Sequence, residues 1–468
     1  MFLLAAVTFS CGHRTTLGAD EPGAVQVDGA LRIATFDIDA SPRVGSPLAY
    51  DPCDGIETPL TCRGVVLLIE PSPVVYCAVD WIGIANGAHR HFRERLAEAA
   101  GTTADRVAVH ALHQHDAPWA DLTAAELLAA EGIEHQVFDV PWFRDVVDRA
   151  AAAVREAIAR PSTVTQVALG AGEVAQVASN RRILGPDGKV QYTRWSATKD
   201  ESVREMPVGL IDPLLRSITL LDGDRPLVTT TFYATHPQSY YRTRLANSDF
   251  PGLARDGRQA ETGVLHVHFD GAGGNITAGK WNDGSPENRR ILADRLAAGM
   301  RLARDAERTI PITSAQVGWR SVAIALPPAE HLDESALVAT LGDDSATAAV
   351  RGAAAADLAW LRRCRAGETI DVGCLTLGDA RILFLPGELF VEYQLEAQAM
   401  LPERFVAVAA YGDYGPGYIG TAVAYDEGGY ETSARASRVA PGVEKVLREA
   451  MRELLDLPAV PEEPSGER

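Results

Sequence analysis

The sequence predicts an α/β protein in which mixed β-sheets are flanked by helices. Two observations carry that prediction. Strand-like runs rich in apolar and β-branched residues alternate with amphipathic stretches of helical period. Sheets covered by helices are the layer arrangement that buries the apolar faces of both. Several of the strand-like runs also stop abruptly at polar, chemically capable residues, and ligands of α/β proteins bind beyond the carboxyl ends of strands.

The elements follow in chain order. Residues 1–24 open with the apolar run MFLLAAVTFSC and read as a signal or lead segment, although a positively charged start is missing. Cys53 and Cys62 flank the short polar loop CDGIETPLTC and are expected to bridge in an oxidising compartment, whereas Cys77 in VVYCAVDW is expected to be buried. Residues 88–100 read as a helix, and the strand-like VAVHAL at 107–112 runs into His113. A helix is expected over 141–160, a strand over 227–235 ending at His236, and a helix over 286–306. ILFLP at 382–386 gives way to Gly387-Glu388, and FVAVAAY at 405–411 to GDYGPGYIG. A helix over 441–457 closes the fold, and the Pro- and Glu-rich 458–468 is expected to be a disordered tail.

Composition bounds the function. The 468 residues have room for roughly two to four domains or one large catalytic unit. With 46% hydrophobic and 23% charged residues the chain is an ordinary globular one, not a disordered one. Its formal charge of −19, without a Lys/Arg-rich run, makes nucleic acid a poor partner. No segment has the ~20 consecutive apolar residues of a membrane span. The absence of a CxxC pair argues against a thiolate metal site. The expectation is an exported protein, secreted or in the cell envelope.

Chemistry concentrates in five places. In LHQHDAP, His113 and His115 stand at i and i+2; on an extended segment they point the same way, and histidine is a common metal ligand. His236 follows a strand in ATHPQSYY. The glycine-rich stretch HFDGAGGNITAGKWNDG matches neither a Walker loop nor a dinucleotide fingerprint, and its Asn275-Ile276-Thr277 is also a glycosylation sequon. Glu388 follows a Pro-Gly turn that can aim its carboxylate inward. Tyr418, Tyr425 and Tyr430 supply phenols that can ligate a metal or donate to an oxyanion.

In this order the segments resemble the catalytic domain of the neutral ceramidase family, zinc-dependent amidases that split ceramide into a fatty acid and sphingosine. LHQHDAP is similar to the family's THTHSGP, and ATHPQSYY with Asn247 to Asp249 resembles its His-Gly-Thr and Ser-Ser-Asp stretch. GGNITAG resembles its nucleophile loop, Glu388 its Pro-Gly-Glu, and Tyr418, Tyr425, Tyr430 and Glu431 its tyrosine segment without a gap. The resemblance implies one catalytic domain over residues 25–457 and a zinc ion (Zn2+) held by His113, His236, Glu388 and Tyr418. It further implies His115 beside the metal as a proton carrier or orienter of the attacking group, Tyr430 as donor to the amide oxygen, and Arg181, in an Asn-Arg pair like the family's, near the substrate. The implied activity is hydrolysis of a small-molecule N-acyl substrate, lipids included; the alternatives are a non-lipid amide or ester, and a non-catalytic binding protein.

Two departures qualify the likeness. Thr277 stands where the family has its serine, and Asp116-Ala117 replaces Ser-Gly after the His-x-His. A charge at Asp116 beside the metal is expected to favour a polar or cationic substrate.

Overall fold

A strand that is apolar at every position has to be covered on both faces. Val74–Val79 (VVYCAV) is buried throughout and runs parallel to Val107–Ala111. In the computed structural model, which describes residues 29–458, this parallel pair lies at one end of a five-stranded sheet. From the pair inward the remaining strands are Thr61–Leu68, Leu31–Asp39 and Ser162–Val164. A second five-stranded sheet is ordered Leu265–Asp270, Arg225–Tyr233, Leu214–Asp222, Gln166–Glu173 and Arg308–Pro311. A third, four-stranded, runs Val317–Ile324, Ile370–Leu377, Ala380–Phe384 and Phe405–Ala409.

Each sheet repeats one device. The parallel pairs Val74–Val79 with Val107–Ala111, Arg225–Tyr233 with Leu265–Asp270, and Ala380–Phe384 with Phe405–Ala409 each need a crossover. The helices Asn86–Ala100, Asp249–Thr262 and Val391–Met400 supply it. The inner faces of the three sheets meet in one core that includes Tyr76, Phe232, Phe269 and Phe384. Phe232 and Phe269 stack at 5.3 Å, and Tyr76 lies 5.8 Å from Phe384 and 6.1 Å from Phe269. At the carboxyl ends of the pairs, Ala111 N–H donates to Tyr411 O (2.9 Å) and Ala410 N–H to Asp270 O (3.0 Å). Three strand ends from distant parts of the chain are thereby tied together.

The helices expected from periodicity occur as Asn86–Ala100, Val140–Ile158, Glu287–Asp305 and Val443–Leu454. Asp249–Thr262 escaped sequence reading because Pro251 and Gly252 look like a turn; Pro251 falls in the first helical turn, where a missing N–H costs little. Among the described residues no helix is long and apolar enough to cross a membrane. The lead segment expected at 1–24, and all of the tail expected at 458–468 except Pro458, lie outside the described residues.

The expected Cys53–Cys62 bridge is not formed. Both thiols are free and fully buried. Cys53 Sγ donates to Gly55 O (3.3 Å). Cys62 lies in the strand Thr61–Leu68, paired on both edges, and its thiol meets Cys77. The strand, not the loop between the cysteines, sets the direction of that side chain.

Candidate metal centre

The converging strand ends bring His113, His236, Glu388 and Tyr418 to one place. His113 follows the strand Val107–Ala111 in a left-handed conformation (φ 65°), so its segment is not extended as the i, i+2 argument assumed. A bulky residue held there is strained, and such strain gathers at functional sites. The turn nonetheless keeps the rings of His113 and His115 together, with centroids 5.3 Å apart. Glu388 follows Gly387, at φ 63°, where any Cβ would come within 2.6 Å of Gly417 O. Its backbone pairs in parallel with Tyr418, which places the carboxylate and the phenol side by side.

Four atoms face one another. His113 Nε2 lies 3.2 Å from His236 Nε2 and 3.2 Å from Glu388 Oε2. His236 Nε2 lies 3.5 Å from Glu388 Oε2 and 3.5 Å from the Tyr418 hydroxyl. All four side chains are buried. The outer ring nitrogens determine what these atoms can be: His113 Nδ1 is 2.5 Å from Ile82 O and His236 Nδ1 is 3.3 Å from Gly273 O. A nitrogen that donates to a carbonyl carries the proton, so both Nε2 atoms present lone pairs. Two lone pairs and a carboxylate oxygen without a hydrogen-bond donor repel one another unless a cation lies between them. Nitrogen and oxygen donors backed by carbonyls are what a divalent metal accepts, so the residues present fit such an ion.

His115 adds a third imidazole, and the nitrogens of His113, His115 and His236 lie within 4.8 Å of one another; the cluster could hold a metal. His115 Nδ1 pairs with the Tyr50 hydroxyl (3.0 Å), and its buried Nε2 has no partner. Burial drives both His115 and His236 well below the ordinary histidine value, with His113 and Arg181 adding to the effect. Both rings are therefore neutral at physiological pH.

The other expected residues surround the cluster. Arg181 donates from Nη1 to the Tyr418 hydroxyl (3.1 Å) and pairs through Nε with Glu431 Oε1 (2.9 Å). The half-buried Tyr430 packs against Tyr418 and Trp195, with centroids at 5.7 and 5.2 Å. Thr277 lies next to Ile276, whose carbonyl accepts from His236 N–H (3.2 Å). The Thr277 hydroxyl itself donates to Ser196 Oγ (3.0 Å) and accepts from Gly279 N–H (3.3 Å). The glycine-rich stretch serves close backbone approach: a Cβ at Gly274 would meet Glu388 O at 2.3 Å.

Two features of the sequence find their places here. Asp116 is buried and accepts from Arg242 N–H (2.8 Å), Thr243 N–H (3.2 Å) and the Thr243 hydroxyl (2.6 Å). Its carboxylate holds the loop at 242–247 in place. Asn275 of the sequon is also buried, donating to Glu392 and accepting from Val391 N–H at the start of a helix, and is closed to glycosylation. Tyr425 bonds Ser437 and lies outside the cluster. Sequence reasoning missed Tyr411, stacked on His113 with centroids 4.5 Å apart, and Tyr414, which donates to Glu388. Both sit in the AYGDYGPGY stretch after a strand, a signal that was visible but had no partner to attach to.

Fold and cluster together define an α/β protein with a candidate metal centre at its strand ends. No protein-family model and no curated protein matches the sequence. Among solved structures the chain has the fold of neutral ceramidase from Pseudomonas aeruginosa, with a TM-score of 0.66 at 15% identity over 94% of this chain and 76% of that one. A ceramidase complexed with C2 is as similar, with a TM-score of 0.66 at 15% identity over 94% of this chain and 78% of that one. At this level of identity the likeness is one of fold.

Proposed function

We propose that the protein is a zinc-dependent hydrolase of linear amide bonds, cleaving an N-acyl substrate into a carboxylic acid and an amine, with residues 25–457 as one catalytic unit. The observation that carries the proposal is the convergence of His113, His236, Glu388 and Tyr418 on one point within a ceramidase fold. Those four residues would hold the ion, and zinc bound there would supply a Lewis acid for the amide carbonyl.

The remaining steps belong to side chains. His115, neutral and with Nε2 unpartnered, is suited to accept a proton from the attacking group and pass it to the leaving amine; Tyr50 orients its ring. The Thr277 hydroxyl attacks or positions the attacking water. Tyr430 donates to the oxygen as it becomes anionic, and Arg181, fixed by Glu431, adds positive charge on the same side. Enclosure of these groups strengthens each interaction because water is excluded.

The test is hydrolysis of a panel of N-acyl amines and matched esters by purified protein, before and after chelation. Turnover should vanish on chelation and return with zinc. Turnover that survives complete metal removal would overturn the proposal, and exclusive cleavage of esters would correct the bond type.

A further inference from the structure

The donor atoms of the cluster are almost wholly buried, yet the segments around it carry exposed aromatic surface. Tyr50, Tyr192, Trp195 and Tyr241 are the most exposed aromatic side chains among the described residues, at 44%, 41%, 49% and 42%. They fall into two groups. Tyr50 and Tyr241 pack together with centroids 5.1 Å apart, and both reach His115, at 5.8 and 5.3 Å. Trp195 packs on Tyr430 and lies 5.3 Å from the Arg181 guanidinium, and Tyr192 stands just before it in the hairpin Arg182–Leu184 with Val190–Thr193. The inner members, His115 and Tyr418, both lie against His236, with centroids at 5.4 and 6.1 Å.

Exposed aliphatic residues extend both groups outward. On the Tyr50 side are Ile56 and Leu245, brought together by the short parallel ladder of Gly55–Ile56 with Leu245–Ala246. On the Trp195 side is Val423, 61% exposed, in the helix Ala422–Glu427. Arg182 ties that helix to the hairpin through Glu427 (3.1 Å), as does Lys189 through Asp426 O (2.6 Å). Apolar surface gathered on the segments around one cluster, rather than scattered singly, marks a docking surface.

Charge narrows the occupant. Arg242 pairs with Asp51 and Arg244 with Asp54, so this side of the rim is neutral on a chain of net charge −19. Neither a polyanion nor an acidic bilayer finds a basic footprint there. Half-exposed tyrosine and tryptophan rings with polar tips are the side chains that settle at the headgroup level of a membrane.

We infer that this rim docks on a zwitterionic lipid surface, from which an acylated amine passes inward to the buried cluster. The identity of that amine rests on the proposed function; the docking does not.

Co-sedimentation of the full chain with phosphatidylcholine vesicles tests the inference. The parent protein should partition to the vesicles, and Ile56→Asp, Leu245→Asp and Val423→Asp should together weaken partitioning about tenfold or more, since binding scales with buried apolar area. Turnover of a water-soluble short-chain N-acyl amine should be the same in parent and variant. If the aspartate variant melts early, the corresponding serine substitutions should weaken binding in the same direction. A parent protein that stays in the supernatant, variants that partition like the parent, or binding that needs phosphatidylserine and disappears at high salt would each overturn it. Normal docking by a protein without amidase activity would support the lipid surface and overturn only the reading of the site.

Discussion

Tyr414 donates its hydroxyl to Glu388 Oε1 at 2.6 Å, which leaves Glu388 Oε2 as the carboxylate oxygen facing His113 and His236. One phenol thereby decides which oxygen is available to an ion. Tyr414→Phe should weaken zinc affinity about 10- to 100-fold, the usual loss when a hydrogen bond to a ligating carboxylate is removed. The ring still packs over Gly83, but the change strands Glu388 Oε1, so the apo protein should lose about 1–3 kcal/mol of stability. Competition titration with a zinc chelator reads the affinity, and a value equal to the parent's would remove Tyr414 from the site.

The four-atom convergence predicts about one zinc per chain in purified protein. His113→Ala and His236→Ala should each lose both the metal and at least about 10³ in turnover, because three remaining donors hold the ion poorly. Elemental analysis of each variant decides it. Full occupancy with near-normal turnover in both would contradict the assignment.

Thr277 is tested by a pair of substitutions. Thr277→Ser keeps the hydroxyl and relieves the χ1 restriction, so activity should be retained. Thr277→Val should lower turnover by about 10² per folded, zinc-loaded molecule, the cost of one positioned catalytic group. It also strands Ser196 Oγ and Gly279 N–H, at about 1–3 kcal/mol of stability. A valine variant that is destabilised yet turns over at the parent rate would restrict Thr277 to holding its loop.

Four buried histidines outside the cluster favour unfolding in acid, whereas the buried carboxyl groups of Asp121, raised to about 7, and Asp270, also raised, act the other way. Burial lowers His89 and His266 to about 4, and His110 and His268 to about 3. An unfolded chain takes up these protons near pH 6.5 while the native state refuses them until pH 4 or below, so between those values the unfolded state binds more protons. The histidine contribution should therefore be complete above pH 7 and fall as pH drops from 6.5 toward 4, by about 1–2 kcal/mol per histidine at pH 5. Denaturant melts at pH 7 and pH 5 measure the difference, and His89→Gln should reduce it. A His89→Gln variant with the parent's pH dependence would refute the account.

Cys53 and Cys62 should be recovered as thiols. Alkylation of denatured, unreduced protein followed by peptide mapping should find both modified; a Cys53–Cys62 cross-linked peptide would contradict the buried geometry of Cys62 beside Cys77.

Local pattern made part of this protein legible. The helical period of 88–100 and 141–160, and the apolar runs ending at His113, His236 and Glu388, are properties of short windows, and the elements appeared where those windows lay. The resemblance of short motifs in a shared order picks out the four converging residues. Hydrogen-bond partners were not legible in that way. Asp116 faces the loop at 242–247 rather than the metal centre, Asn275 is buried under Glu392, and Cys62 meets Cys77 instead of Cys53. Each of those outcomes depends on which distant strand or loop lies alongside.

The sequence by itself determined the α/β class and the residue types at the strand ends, because hydrophobic period and turn chemistry act over a few residues. Only the tertiary structure decided that three parallel pairs, crossed over by three helices and packed on one core, bring those ends together. The physical reason is that His113 and Glu388 stand 275 positions apart along the chain, and only the packing of Tyr76, Phe269 and Phe384 across three sheets sets their separation to 3.2 Å.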